Sequence, residues 1–359
     1  MTYKQTLFFI GQSLTINYED HNKNLIKEQL EFKTVDWESV VKVSTAHFVL
    51  PALYYNYKHA SLLHYLPEDL VSYMKHIANL NRERNQQIIA QAKDINILLI
   101  QNGIKPIFLK GTGSLLDGLY KDIGERMVGD IDFIVSENEY IKTIEILQKD
   151  GYTRIDKGII RIHRHYPPLI KNNNIATVEI HSKLLKEKYS SKLNYEIIKK
   201  SIQEIGSIHV LSFEDQFCLT TLVHQINDNG YAFKTISLRK AYDTFLLSKK
   251  CKAKNVITRF DPKLHEIINC FLATIDIVFN NVDSFTILDT KKKNNYLKSF
   301  HKLLIATGKG RLKKSLTNKI SQPVNIYLNL ALKALIKREY KVYVLKKTIE
   351  KIKNLISKN

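Results

Sequence analysis

Gly129-Asp-Ile-Asp-Phe-Ile-Val135 is the stretch that decides how this 359-residue chain folds. Side chains alternate across a β-strand, so Asp130 and Asp132 share one face while Ile131, Phe133 and Val135 share the other. The apolar face packs on a core, and the acidic face is left for chemistry. Two carboxylates one pleat apart repel each other unless a cation sits between them. Hard divalent ions such as Mg²⁺ (or Mn²⁺) take one or two carboxylates together with phosphate oxygens. Asp130 and Asp132 are therefore expected as catalytic metal ligands. The spacing alone also fits a strand end whose acids cap a helix or pair with lysines.

Ile175-Ala-Thr-Val-Glu-Ile-His181 repeats the pattern downstream. Ala176, Val178 and Ile180 form its core face, and Thr177, Glu179 and His181 lie opposite. Glu179 supplies a third carboxylate if this strand lies beside the first. A third ligand permits a second metal about 3.5–4 Å from the first, which lowers the proton affinity of an attacking hydroxyl. His181 is expected either to orient Glu179 or to touch an acceptor.

Upstream, Lys105-Pro-Ile-Phe-Leu-Lys110 reads as a short strand closed by Gly111-Thr-Gly-Ser114. A glycine turn between strand and helix exposes backbone N–H groups, which suit phosphate. Gly111, Thr112, Gly113 and Ser114 are the expected nucleotide-binding turn, with Lys110 neutralising phosphate charge. The spacing is neither that of a Walker loop nor G-x-G-x-x-G. Arg126 is expected to contact phosphate or to brace the acidic pair. Ser136-x-x-Glu139 reads as a capping box for a helix over 137–149, which Gly151 closes. Strand candidates follow at 152–156 and 159–170. His163 and His165, two apart with no third soft ligand nearby in sequence, make a weak metal pair.

Residues 36 to about 102 carry apolar positions at helical spacing, and helices dominate again from Ser182. Ser212-Phe-Glu-Asp215 is an N-terminal cap for a helix reaching about Asn227. Further helices are expected near 236–249, 262–280, 292–306 and 322–356. His224 is expected in a polar contact with Arg239 and Asp243, or near the acceptor. At 44% hydrophobic and 25% charged residues the chain can build a core. Three widely spaced cysteines argue against a disulfide framework or zinc site. Neither a signal peptide nor an 18-residue apolar run is evident, so the expected location is cytoplasmic. The formal charge of +20 is uneven. Thr290 to Asn359 holds 19 Lys and Arg against two acids, a net +17, which leaves +3 for the rest. Such an end suits an anionic partner, RNA among them, or is a solvated lysine-rich face. Tyr327–Ile356 mixes lysines with apolar residues, as in a helix that packs on the body or touches anionic membrane.

The run Ile107-Phe-Leu-Lys-Gly111, Leu119-Tyr120, Arg126, Gly129 to Val135 and Gly151-Tyr152 resembles the uncharacterised nucleotidyltransferase family within the DNA polymerase β-like superfamily. The flanks are similar as well: Asp36-Trp37, His47, Pro51, Leu66-Pro67, Val178 to His181, Leu211-Ser-x-Glu-Asp215, Leu222-Val-His224, Arg239 and Asp243. Coverage is roughly residues 30–250. The superfamily's hG[GS] signature becomes Gly111-Thr112 here. The resemblance implies an α/β (α+β) fold, a small mixed β-sheet nucleotidyltransferase core flanked by N-terminal and C-terminal helical regions. It divides the chain into an N-terminal helical region (1–100), the core (101–185), a helical region packing on it (186–285) and a basic helical end (286–359). It also implies an NTP such as ATP as donor, Mg²⁺ or Mn²⁺ as cofactor and an EC 2.7.7-type transfer. The acceptor stays open between a small molecule, glycan or protein and an RNA end. A non-catalytic nucleotide-binding module is the remaining alternative.

Overall fold

The computed structural model describes residues 1–155, 164–251, 256 and 261–305. The chain divides into two units, Met1–His301 and Lys302–Asn359. The expected helix over 322–356 lies outside the described residues.

Seven strands form one mixed sheet. They are β1 (Ile107–Phe108), β2 (Asp130–Ile134), β3 (Thr153–Arg154), β4 (Leu169–Ile170), β5 (Thr177–His181), β6 (Ile202–Ile205) and β7 (Ile208–Leu211). Their order is β3-β4-β5-β2-β1-β7-β6. β2 and β5 lie side by side and parallel, with Asp130 opposite Thr177, and Asp132 opposite Glu179. β1 runs antiparallel to β2 and parallel to β7. Ile131, Phe133, Val178, Ile180 and Phe108 are fully buried beneath the strands. This is the α/β architecture that the alternating apolar residues imply, with helical regions on either side in sequence.

The expectation that helices take over from Ser182 fails at residues 202–211. Ile202-Gln-Glu-Ile-Gly-Ser-Ile-His-Val-Leu211 forms the β6–β7 hairpin, turning at Gly206 in the left-handed region (φ +61°). Its alternation is broken at the turn, and β7 is buried on both faces, so no clean period-2 signal survives. The capping box at Ser136 also differs from expectation. Ser136 bonds the Glu139 side chain rather than a backbone N–H, and a 3₁₀ turn over Glu137–Glu139 precedes the helix Tyr140–Lys149.

The longest helix, Glu68–Gln101, buries Met74, Ala78, Ile88, Ala92, Ile95 and Leu99 at helical spacing. The same face carries buried amides. Asn81 donates to the carbonyls of Gly124 and Arg126, and Asn85 to those of Ile123 and Arg126. Gln91 exchanges two hydrogen bonds with the backbone of Ala176, just before β5. These side chains supply the partners that a buried irregular loop cannot find in a sheet. They hold residues 122–128 on the approach to β2.

Glu125 sits in that loop, 4% exposed, and accepts from Tyr242 Oη at 2.8 Å. Burial pushes its carboxyl up to about 7. The native state therefore favours the protonated form, so its stabilising contribution is complete below the unfolded value near 4.5 and is lost as pH rises through about 7. A thermal or urea denaturation series from pH 5 to 8 should show stability falling by roughly 3 kcal/mol from this group. Glu125→Gln should flatten that slope; an unchanged slope would contradict the assignment.

Candidate active site

The site is built where β2 and β5 run side by side. In-register pairing sets Asp132 and Glu179 next to each other, and His181 follows on the same face of β5. One ligand atom from each of Asp132, Glu179 and His181 lies within 4.8 Å of the others. Asp132 is 2% exposed and His181 1%. His181 Nε2 donates to Asp132 Oδ1 at 2.7 Å and lies 3.6 Å from Glu179 Oε2. Its buried Nδ1 has no hydrogen-bond partner. The three acidic positions expected from sequence do share one face, with Asp130 one pleat ahead of the cluster and half-buried.

Lys110 supplies the cation in this arrangement. Its Nζ donates to Asp132 Oδ1 at 2.5 Å and lies 3.4 Å from His181 Nε2 and 4.0 Å from Glu179 Oε2. The backbone of Lys110 is left-handed (φ +52°), an uncommon state for a residue with a Cβ, and it aims the side chain at the acids. Electrostatics agree with the geometry. Burial works to lower the Lys110 ammonium, but Asp132, Glu179 and Asp130 outweigh it and raise the pKa. Burial works to raise Asp132, but Lys110 and His181 outweigh it and hold the carboxyl well below the usual range. Asp130 is raised, by burial first and then by the charge of Asp132. A pocket of two carboxylates and an imidazole that already attracts an ammonium fits a divalent cation, with Asp130 beside it.

Three positions of the turn expected to bind phosphate also serve packing. Thr112 Oγ1 donates to Asp130 O at 2.9 Å, and Ser114 Oγ donates to Lys110 O and Gln216 Oε1. A Cβ on Gly113 would stand 2.9 Å from Phe108 O, so this glycine permits the helix Lys110–Leu116 to lie on β1. Gly111 does line the cleft, and a Cβ there would stand 2.9 Å from a Val128 methyl. Arg126 lines the cleft, and its ion pair is with Asp243 and not with the acidic pair it was expected to brace. It is buried, donating to both carboxylate oxygens of Asp243 and to Met127 O, while Tyr120 Oη donates to Asp243 Oδ1. His224 also points elsewhere. Its Nε2 meets Thr235 O at 2.9 Å, its Nδ1 is 3.9 Å from Asp228, and its ring packs on Phe271. Asp243 pairs with Arg126 and not with His224.

His165 lies beside the cluster, a neighbourhood that its spacing in sequence did not indicate. An antiparallel bridge sets it opposite His181, and its Nε2 lies 3.7 Å from Glu179 Oε2. The missing third ligand comes from another strand, which spacing along the chain cannot reveal. His163 lies outside the described residues. Arg164, Arg239 and Lys240 also line the cleft; Arg239 was expected in a polar contact with His224, and the other two carried no signal.

Residues 33–267 match the model of a family described as uncharacterised nucleotidyltransferase. That match covers more than half of the chain and encloses every site residue named above. The chain belongs to the uncharacterised nucleotidyltransferase family, and it is thereby a transferase of nucleotidyl groups with an NTP as substrate. No curated protein matches it. Among solved structures, the crystal structure of JHP933 from Helicobacter pylori is similar over 68% of this chain and 97% of that chain, at 16% identity and a TM-score of 0.29. Among the described residues, no helix is long and apolar enough to cross a membrane.

Two measurements test the site. Mg²⁺ or Mn²⁺ should raise the melting temperature of the wild type by binding the native state alone, and Asp132→Asn or Glu179→Gln should remove that rise. Asp243→Ala leaves the Arg126 guanidinium buried without its partner, which should cost about 3–5 kcal/mol in urea unfolding.

Proposed function

We propose that this chain is a metal-dependent nucleotidyltransferase that moves NMP from an NTP to a hydroxyl of a small-molecule, glycan or protein acceptor and releases pyrophosphate. The observation that carries the reading is the convergence of Asp132, Glu179 and His181 within coordination reach, with Asp130 on the same face. Asp130, Asp132 and Glu179 are the residues that would hold Mg²⁺ or Mn²⁺. Bound there, a divalent cation would neutralise polyphosphate charge and lower the proton affinity of the acceptor hydroxyl. His181 fixes the Asp132 carboxylate through its Nε2–H. Lys110, held over the acids, is placed to pass its charge to a phosphate oxygen. Gly111 keeps the backbone close to the cleft, and Arg126 holds residues 126–129 in place through Asp243. The protein's contribution is positioning and preorganised charge, the part that dominates phosphoryl and nucleotidyl transfer.

A second reading, transfer to an RNA end, is favoured by the net +17 between Thr290 and Asn359. Phosphate contacts from such a segment would give strong, salt-dependent affinity. Purified protein incubated with each α-labelled NTP and fractionated cell extract separates the two readings by where the label appears. A label on RNA selects the second.

In that assay Asp130→Asn and Asp132→Asn should each reduce transfer by more than the roughly 100-fold that loss of an outer-shell partner costs a metal site. Near-wild-type transfer by both variants would refute the proposed roles.

A further inference from the structure

The acidic floor of the cleft faces a cationic wall. Arg164, Arg239 and Lys240 line the same cleft as Lys110, Asp130 and Asp132. Arg239 stands in the first turn of the helix Leu238–Ser248. Its Nη1 donates to Met127 O at 3.2 Å, and its guanidinium lies 4.9 Å over the Phe48 ring. Both contacts fix the plane of the group, and neither neutralises its charge. Its Nε is buried with no hydrogen-bond partner. Asp243, one turn further along the helix, is bound by Arg126 through Nε and Nη2.

The wall repels itself. Burial lowers the pKa of Arg239, and the Arg126 charge pushes it the same way, against the pull of Asp243 and Asp130. Burial lowers Lys240 despite its pairing with Asp228, and Arg239 and Lys110 add to the shift. Arg164 is lowered by burial against the pull of Asp228, Glu179 and Asp132. With Arg126 paired to Asp243, Lys240 to Asp228 and Lys110 to Asp132, Arg164 and Arg239 are the cations lining the cleft that have no carboxylate bound to them among the described residues. A buried charge without full compensation costs stability, and such costs are characteristic of sites that complete themselves with a ligand. The planar forks of two arginines match phosphate oxygens in pairs.

We infer that Arg164 and Arg239 form a polyphosphate clamp in the same cleft as the carboxylates, which holds the β- and γ-phosphates of an NTP or a free inorganic polyphosphate. The clamp would act alongside the Gly111–Ser114 turn, whose expected phosphate contacts are backbone N–H groups. Its place in catalysis rests on the nucleotidyltransferase reading; its affinity for polyphosphate does not.

The test is calorimetric titration of inorganic tripolyphosphate into the full chain in EDTA. Wild type should bind, and Arg239→Gln and Arg164→Gln should each weaken binding about tenfold or more, the loss expected for a charged hydrogen-bonded contact. Arg239→Lys should restore part of the loss. Asp132→Asn should bind at least as tightly as wild type, since it removes a negative charge from the floor and leaves the wall intact. Arg239→Gln should melt no lower than wild type, because it deletes an under-compensated buried charge; a purely structural arginine would lower the melting temperature. No binding by wild type, equal binding by the Arg164→Gln/Arg239→Gln double variant, or orthophosphate binding as tightly as tripolyphosphate would each overturn the clamp. Tripolyphosphate binding without transfer from any NTP would leave the clamp standing and sink the enzymatic reading alone.

Discussion

The parallel, in-register pairing of β2 with β5 is the constraint on which the rest of the site depends. It forces the carboxylates of Asp132 and Glu179 into adjacent positions on two inner strands of the sheet. There, charge of one sign is costly unless something of the other sign is held close. The chain meets that demand with Lys110, delivered by a left-handed residue at the head of a helix, and with the imidazole of His181. Acids already balanced by an ammonium are chemically suited to a divalent cation.

Around this centre the fold separates charge by element. Strands supply the acids, since a period of two places side chains on one face at short spacing. Helices and loops supply the bases. Lys110 heads one helix, Arg239 and Lys240 head another, and Arg164 lies in the approach to the His165 bridge. The amide ladder Asn81, Asn85 and Gln91 ties the long helix both to residues 122–128 and to the start of β5. One rigid element therefore sets the entry of both acidic strands. Preorganisation of this sort fixes charges before a substrate arrives, so little reorganisation is left for the reaction itself.

Local reading succeeded where chemistry lies along one strand, and it faltered where partners come from different elements. The D-x-D alternation and the Glu179 strand were legible because their apolar halves had to face a core. The packing roles of Thr112 and Ser114 were not legible, because a glycine-rich turn has that composition whether it binds a ligand or packs on a strand. Arg126 looked equally suited to phosphate or to bracing until Asp243, far along the chain, closed on it. Polar residues such as Asn85 and Gln91 are buried against backbone carbonyls that no sequence pattern displays. His165 lacked a ligand set until a bridge between strands provided one.

Sequence by itself determined the type of fold, the acidic strands and the family resemblance, since periodicity and glycine placement are local properties that a chain carries before it folds. Tertiary structure alone decided which acids meet, which cation sits among them, and that Arg164, Arg239 and Lys240 look into one cleft. Those facts depend on the order of strands in the sheet and on helix packing, where residues over a hundred positions apart become neighbours through buried apolar contact.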